Sequence, residues 1–246
     1  MPTNTHESTF PLLSRECDLT GKWRPSAILE SLQEVSAAHC NLLGCGRDDL
    51  LKLNNSVWVL SRMELHMTRY PAVGETVTVS TFPMPVRLCF FPRYYIMTDA
   101  RGEMIGKAGS LWVIMDINTR KMLPPGEVAR LIPDNRNLSV PMNLPATVGS
   151  IQGEEFVTSF QPVYTDLDMN CHVNNTRYAD WLCNILGVEM MTRCEPESMI
   201  LNYNHEVLPD QTVTLHRILK DNQYQLIGRV GDLTAFEIGG LLRPRN

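Results

Sequence analysis

No apolar run in the 246-residue chain approaches the ~18 residues needed to cross a bilayer, which argues against a membrane span. Positive charge is not in excess either. The formal net charge is −5, so no general electrostatic pull toward nucleic acid or an anionic membrane is expected. Paired metal-ligand motifs are missing: seven cysteines are scattered with no C-x-x-C, and Cys40 and Cys45 have no second pair at zinc-finger spacing. Residues Met1 to Ser14 contain no Lys or Arg, no long apolar stretch and no cleavage-type sequence, so no signal or transit peptide is read there. The scattered, odd-numbered thiols suit a reducing, cytoplasmic setting. What remains is an ordinary globular balance, 43% apolar and 20% charged, long enough to bury its own core.

The order of elements repeats. Pro25 opens a helix on which Ile28, Leu29, Leu32, Val35, Ser36 and His39 form one stripe. Strand-like runs follow at 56–68, 76–82, 91–99 and 109–116, rich in Val, Ile, Thr, Tyr and Trp and separated by turn residues. Residues 131–147 hold Pro133, Asn135, Asn137, Pro141, Asn143 and Pro145 and read as a linker. A strand over 150–160 then begins a second copy. A helix is expected after Asn174 and Asn175, which suit an N-cap, with Tyr178, Trp181, Leu182, Ile185 and Leu186 on one stripe. Strands are expected at 198–206, 212–219, 224–230 and 233–241. Thr76-Val77-Thr78-Val79 and Thr212-Val213-Thr214-Leu215 each follow a Pro-containing turn. Each copy is one strand, one long helix and several antiparallel strands. A curled sheet wrapped round the helix satisfies that order, which is the hot-dog arrangement. The expected fold is therefore α+β, a tandem double hot-dog. Its N-terminal domain is 1–130, its linker 131–147 and its C-terminal domain 148–246.

The densest polar cluster is Asp166-Leu167-Asp168-Met169-Asn170-Cys171-His172-Val173-Asn174-Asn175, between a strand and a helix start. If extended, it sets Asp166, Asp168, Asn170 and His172 on one side. Backbone N–H groups at the helix start could hold a carbonyl oxygen as it gains charge. A carboxylate, an amide and an imidazole beside it offer a base or nucleophile, an orienting group and a proton carrier. Asx residues also crowd turns and caps for purely local reasons, so each one alone has a structural explanation.

The stretch Thr165 to Trp181 resembles the signature of acyl-ACP thioesterases, the plant plastid enzymes and their bacterial relatives. Trp58-Val59-Leu60-Ser61-Arg62, Ser110 to Asp116 with Thr119-Arg120-Lys121, and Tyr203-Asn204-His205-Glu206 resemble further strands of that family. The likeness runs from about Phe10 to Leu242. It implies catalytic roles for Asp168, Asn170, His172 and Glu206, one site per chain, no metal or organic cofactor, and an acyl carrier protein as partner. The position after the glutamate, often cysteine in the plant enzymes, is Val207 here, which excludes a cysteine nucleophile at that place. Cys171 stands where those enzymes usually carry Gln and is a poor second candidate. The likeness also implies that the N-terminal domain holds the acyl chain, with Trp58, Met63, Leu65 and Met67 as candidate walls. Docking of an acidic carrier would need a basic patch, for which Arg87, Arg93, Arg101 and Lys107, or Arg217, Arg229, Arg243 and Arg245, are candidates. The alternatives are an acyl-CoA thioesterase of the same fold, a non-catalytic acyl-thioester binder, and a dehydratase. Pairing of chains into a homodimer is left open.

Overall fold

The computed structural model describes residues 4–245; Met1 to Thr3 and Asn246, the outermost residues of the two expected domains, lie outside the described residues. The first half runs β1 (His6–Pro11), α1 (Pro25–Leu42), α2 (Arg47–Asn54), β2 (Ser56–Met67), β3 (Thr76–Pro83), β4 (Phe91–Asp99), β5 (Met104–Asp116), β6 (Met122–Leu123) and α3 (Val128–Leu131). The second runs β7 (Glu155–Phe160), α4 (Arg177–Leu186), α5 (Val188–Arg193), β8 (Cys194–Tyr203), β9 (Val213–Lys220), β10 (Gln223–Val230) and β11 (Leu233–Pro244).

Among the described residues the strands form one antiparallel sheet in the order β1-β3-β4-β5-β2-β8-β11-β10-β9-β7, with β6 on β5. The order reads the same from either end once the halves are matched. The centre is the β2–β8 seam, where Arg62 faces Asn202, Glu64 faces Ile200 and His66 faces Ser198. This is the α+β double hot-dog architecture. The helix stripes explain why the sheet curls. Ile28, Leu29, Leu32 and Val35 of α1 and Tyr178, Trp181, Leu182 and Leu186 of α4 share one buried core with both sets of strands. Burying both stripes against one concave surface removes them from water.

The second copy departs from one long helix. Gly187, at φ +85°, stops α4 after ten residues, and α5 follows as a separate short helix. α4 also starts later than expected: Thr176 occupies its N-cap position, and Asn174 Oδ1 instead accepts the Thr176 N–H (3.0 Å) and Oγ1–H (3.0 Å). α2, absent from the sequence expectation, is short and begins after Gly46, whose N–H donates to Asp49 Oδ2 (3.0 Å). No helix among the described residues is long and apolar enough to cross a membrane.

The proline- and asparagine-rich 131–147 stretch is strapped onto the first half. Asn135 is fully buried, and its Nδ2 donates to the carbonyls of Pro83 (2.8 Å) and Asn4 (2.9 Å). Lys107 Nζ donates to Pro141 O (3.1 Å), and the Ala146 N–H to Glu64 Oε2 (2.8 Å).

Candidate active site

The polar cluster is not an extended strand with four side chains on one side. Tyr164–Asp166 makes one 3-10 turn, closed by the Asp166 carboxylate, which accepts the Val163 N–H at 2.9 Å. Asp166 is thus occupied locally. A tight turn follows: the Cys171 N–H donates to Asp168 O (3.0 Å) and the Asp168 N–H to His172 O (3.0 Å). Cys171 takes the left-handed conformation, φ +60°, that this turn requires. The turn brings Asp168, Asn170 and His172 together. Asp168 Oδ1 accepts the Asn170 N–H (2.8 Å), and Oδ2 accepts the Asn170 Nδ2–H (3.3 Å). His172 Nδ1 lies 3.6 Å from Asp168 Oδ1 and 3.3 Å from Val173 O. With Nδ1 so engaged, Nε2 is left to exchange a proton elsewhere. The carboxylate is half-oriented by an amide, and the imidazole sits against the carboxylate.

Glu206 reaches the same place by a different route. β8 ends at Tyr203, so Glu206 lies in the turn after the strand and not on it. Ala235 O accepts both the Asn204 and His205 N–H groups (2.9 Å each), which swings the chain off the sheet. The Val173 N–H then donates to Val207 O (2.9 Å), setting the Glu206 backbone beside His172. The Glu206 carboxylate itself pairs with Arg120 from the β5–β6 turn of the other half. That turn is built for the purpose: Asp116 Oδ1 accepts from the Asn118 N–H (3.0 Å), the Thr119 N–H (2.7 Å) and the Thr119 hydroxyl (3.0 Å). Arg120 itself is left-handed at φ +55°. The hydrogen bonds from Thr119, on backbone and side chain, hold the Asp116 carboxyl below its ordinary range. Thr119-Arg120-Lys121 was legible as a turn; its pairing with Glu206 was not, because the partners are distant in sequence.

Beneath the turn, Tyr203 donates its hydroxyl to Asn175 O (3.1 Å) and stacks near Tyr178 (5.7 Å between rings). Burial, and secondarily the charge of Asp168, push the Tyr178 phenol up, so Tyr178 stays protonated.

Asp168, Met169, Asn170 and Asn174 open into a cavity of about 420 Å³ whose remaining walls come from the first half and from Ile132 just after it. Trp58 of β2, Phe91 of β4 and Trp112 of β5 supply its aromatic lining, and α1 supplies Ser36, Ala37 and Cys40. The volume falls in the range of small-ligand pockets, about 300–1,000 Å³. Of the four residues considered as walls, Trp58 lines it; Met63, Leu65 and Met67 are buried in the main core. His172 and Glu206 do not line it.

The first half repeats the turn without its chemistry. The Gly21 N–H donates to Asp18 O (2.9 Å) and the Asp18 N–H to Lys22 O (2.8 Å), as at Asp168. Asp18 Oδ1 accepts the Thr20 N–H (2.8 Å), as Asp168 does from Asn170. The Trp23 N–H donates to Pro71 O (2.9 Å), as Val173 does to Val207. Lys22 therefore stands in the place of His172, Thr20 of Asn170, and Tyr70 of Glu206. The carboxylate that survives, Asp18, is bound by Arg245 near the end of β11 (2.6 Å) and by the Thr20 hydroxyl (2.6 Å). Burial alone would raise the Asp18 pKa, but the Thr20 and Arg245 hydrogen bonds outweigh it and hold the carboxyl below its ordinary range. A carboxyl lowered on folding stabilises the fold above its unfolded value of about 4, and that contribution is lost as pH falls through the lower folded value. Asp18→Asn should cost about 1.5–3 kcal/mol at pH 7, and urea melts of variant and wild type should converge as pH drops below about 4.

The expected basic patches are largely spent. Arg217 pairs with Glu155 (3.1 Å), Arg229 with Glu154, Arg243 with Glu195 (2.8 Å) and Arg245 with Asp18. Arg93 is buried and Lys107 is tied to Pro141 O, which leaves Arg87 and Arg101 exposed from the first group. Among the described residues no group of three or more His, Cys, Asp or Glu could hold a metal ion.

Residues 3–128 match the acyl-ACP thioesterase N-terminal domain and residues 149–231 the acyl-ACP thioesterase C-terminal domain. The chain belongs to the acyl-ACP thioesterase family. It is 29% identical over 192 residues to a chloroplastic acyl-[acyl-carrier-protein] hydrolase of Cuphea viscosissima, covering 73% of this chain and 46% of that one. It is 28% identical over 225 residues to oleoyl-acyl carrier protein thioesterase 1 of Arabidopsis thaliana, covering 85% and 62%. The chain thus spans about half to three-fifths of the length of these curated relatives. In fold it superposes on an acyl-ACP thioesterase from Bacteroides thetaiotaomicron with a TM-score of 0.87 at 22% identity, covering 98% of each chain. The 12:0-ACP thioesterase from Umbellularia californica gives 0.86 at 20% identity, over 100% and 99%. These two likenesses bear on the double hot-dog fold.

Proposed function

We propose that this acyl-ACP thioesterase family member hydrolyses an acyl thioester on acyl carrier protein, releasing free fatty acid and ending chain synthesis. The observation that carries the reading is the junction of the Asp168–Asn170 turn with an aromatic-walled cavity from the other half. An apolar chain in that cavity would leave its thioester at the Asp168 carboxylate and the Asn170 amide, with the His172 imidazole against Asp168. Residues 1–130 would hold the acyl chain, 131–147 would connect, and 148–246 would carry the chemistry. Depth of insertion then sets chain preference, at about 0.8 kcal/mol per buried methylene.

In the proposed reaction Asp168, Asn170, His172 and Glu206 act as one set. A carboxylate supplies the base or nucleophile at the carbonyl carbon, the Asn170 amide and neighbouring N–H groups meet the oxygen as it gains charge, and His172 returns a proton to the departing thiolate. The carbon–sulfur bond breaks, the hydroxyl of water ends in the acid and its other hydrogen in the thiol, so the step balances without a redox partner. The scattered cysteines support a cytoplasmic setting, and a homodimer is compatible with the sheet's exposed outer edges. An acyl-CoA thioesterase would keep the chemistry and change the carrier. The test is to compare kcat/KM for one acyl group on carrier protein and on CoA. Preference for the carrier form is expected; equal or greater turnover of the CoA form would move the assignment to acyl-CoA.

Arg120 acts here through Glu206. Arg120→Gln should lower kcat by about 10–100-fold with little change in KM, because a carboxylate that drifts by an ångström loses attack geometry. Arg120→Lys should recover part of it. An unchanged kcat for Arg120→Gln would remove Glu206 from the set or show that it needs no anchor.

A further inference from the structure

The cavity wall has a second chemical feature, outside the set just described. α1 closes with a crossed pair of hydrogen bonds: the Cys45 N–H donates to Cys40 O (2.9 Å) and the Gly44 N–H to Asn41 O (3.2 Å). Gly44 is left-handed, φ +71°, as this helix ending requires. Such an ending brings the side chain two residues past the cap against the third-last residue of the helix, normally as an apolar contact. Here both positions are cysteine, so the helix ending sets Cys40 and Cys45 against each other. Trp58 Nε1 donates to Cys45 O (2.8 Å) and fixes the loop to the cavity wall.

Cys40 faces the cavity, and Cys45 is fully buried behind it. A buried guanidinium completes the group. Arg93 donates to Cys40 Sγ (3.4 Å) and Thr81 Oγ1 (3.2 Å) and contacts His39 Nδ1 (3.1 Å); none of these partners is a carboxylate. Among the described residues no carboxylate pairs with Arg93, and a buried cation so placed favours an anion nearby; the thiolate of Cys40 is within reach.

We propose that Cys40 and Cys45 form a peroxide-oxidisable dithiol in the cavity wall. The Cys40 thiolate attacks one oxygen of hydrogen peroxide and the O–O bond breaks. Hydroxide leaves and takes up a proton as water, and Cys40 becomes a sulfenic acid. The Cys45 sulfur then attacks the Cys40 sulfur, a second water departs, and an S–S bond remains. Two thiols lose two electrons in total, and the peroxide gains them. Cys45 and the Arg93 guanidinium beside Cys40 hold its thiol below the ordinary cysteine range, which favours the attacking thiolate. By contrast, burial pushes the Cys183 thiol up to about 12.

The proposal stands apart from the hydrolase reading and is tested on the native wild-type chain. Hydrogen peroxide is titrated in, remaining thiols are alkylated after quenching, and the digested protein is read by mass spectrometry. The peptide holding Cys40 and Cys45 should lose two hydrogens and resist alkylation on the order of tenfold faster than exposed Cys171 is consumed, and dithiothreitol should reverse it. In Cys45→Ser, dimedone should trap a sulfenic acid at Cys40. Oxidation of Cys171 while Cys40 and Cys45 remain a dithiol would overturn the proposal, as would a folded Cys45→Ser variant that dimedone does not label at Cys40.

Discussion

Asp168→Asn and His172→Ala should each lower kcat/KM for acyl-ACP hydrolysis by about 10²–10⁴-fold, with the fold intact. The two changes remove different things. Asp168→Asn keeps the shape of the turn and one of its two acceptor oxygens: Oδ1 can still take the Asn170 N–H, while the bond from Asn170 Nδ2 is lost. It deletes the negative charge that faces His172 Nδ1 at 3.6 Å. His172→Ala leaves the carboxylate and takes away the proton carrier. If both groups work in one step, the double variant should be little worse than either single one, because residues that act as a unit are not additive. Steady-state thiol release with all three variants checks this. Near-wild-type rates in a folded Asp168→Asn variant would exclude Asp168 from the chemistry.

The second large effect is on stability. Phe236→Ala should cost about 3–5 kcal/mol, the usual range for emptying a buried aromatic site. Phe236 is 1% exposed. Its ring lies 4.2 Å from that of Tyr178 and 5.8 Å from that of Trp181, so it is the sheet residue on which α4 rests. It also faces Tyr203 across β8–β11 and neighbours Ala235, whose carbonyl turns the chain toward Glu206. Removing it should therefore depress activity of the surviving folded fraction as well as the urea midpoint. A loss under 1 kcal/mol would mean that the ring's neighbours collapse into its place.

The repeat was legible because periodicity survives divergence. The Thr-Val-Thr-Val run opens β3 and the Thr-Val-Thr-Leu run leads into β9, strands that hold matching places in the two halves of the sheet. The α1 stripe was legible for the same reason. What sequence pattern missed is non-local or conformational. The alternation over 166–172 would fit an extended run, yet Cys171 with φ +60° folds the segment into a turn, and nothing in the residue type announces that. The duplicate turn at Asp18 was hidden because only its aspartate is shared; Gly21 there does what Cys171 does. The Arg120–Glu206 pair joins residues from opposite halves. Pairing of the arginines was equally illegible, because it too is non-local: Arg217, Arg229, Arg243 and Arg245 each meet a carboxylate supplied by another strand or loop.

The most direct measurement is product stoichiometry from wild-type chain and a purified long-chain acyl-ACP, following free thiol and free fatty acid together. Multiple turnovers are expected, with the two products appearing one to one. A folded protein that binds the acyl-ACP and releases neither product, on any chain length offered, would contradict it and leave the cavity as a binding site without hydrolysis.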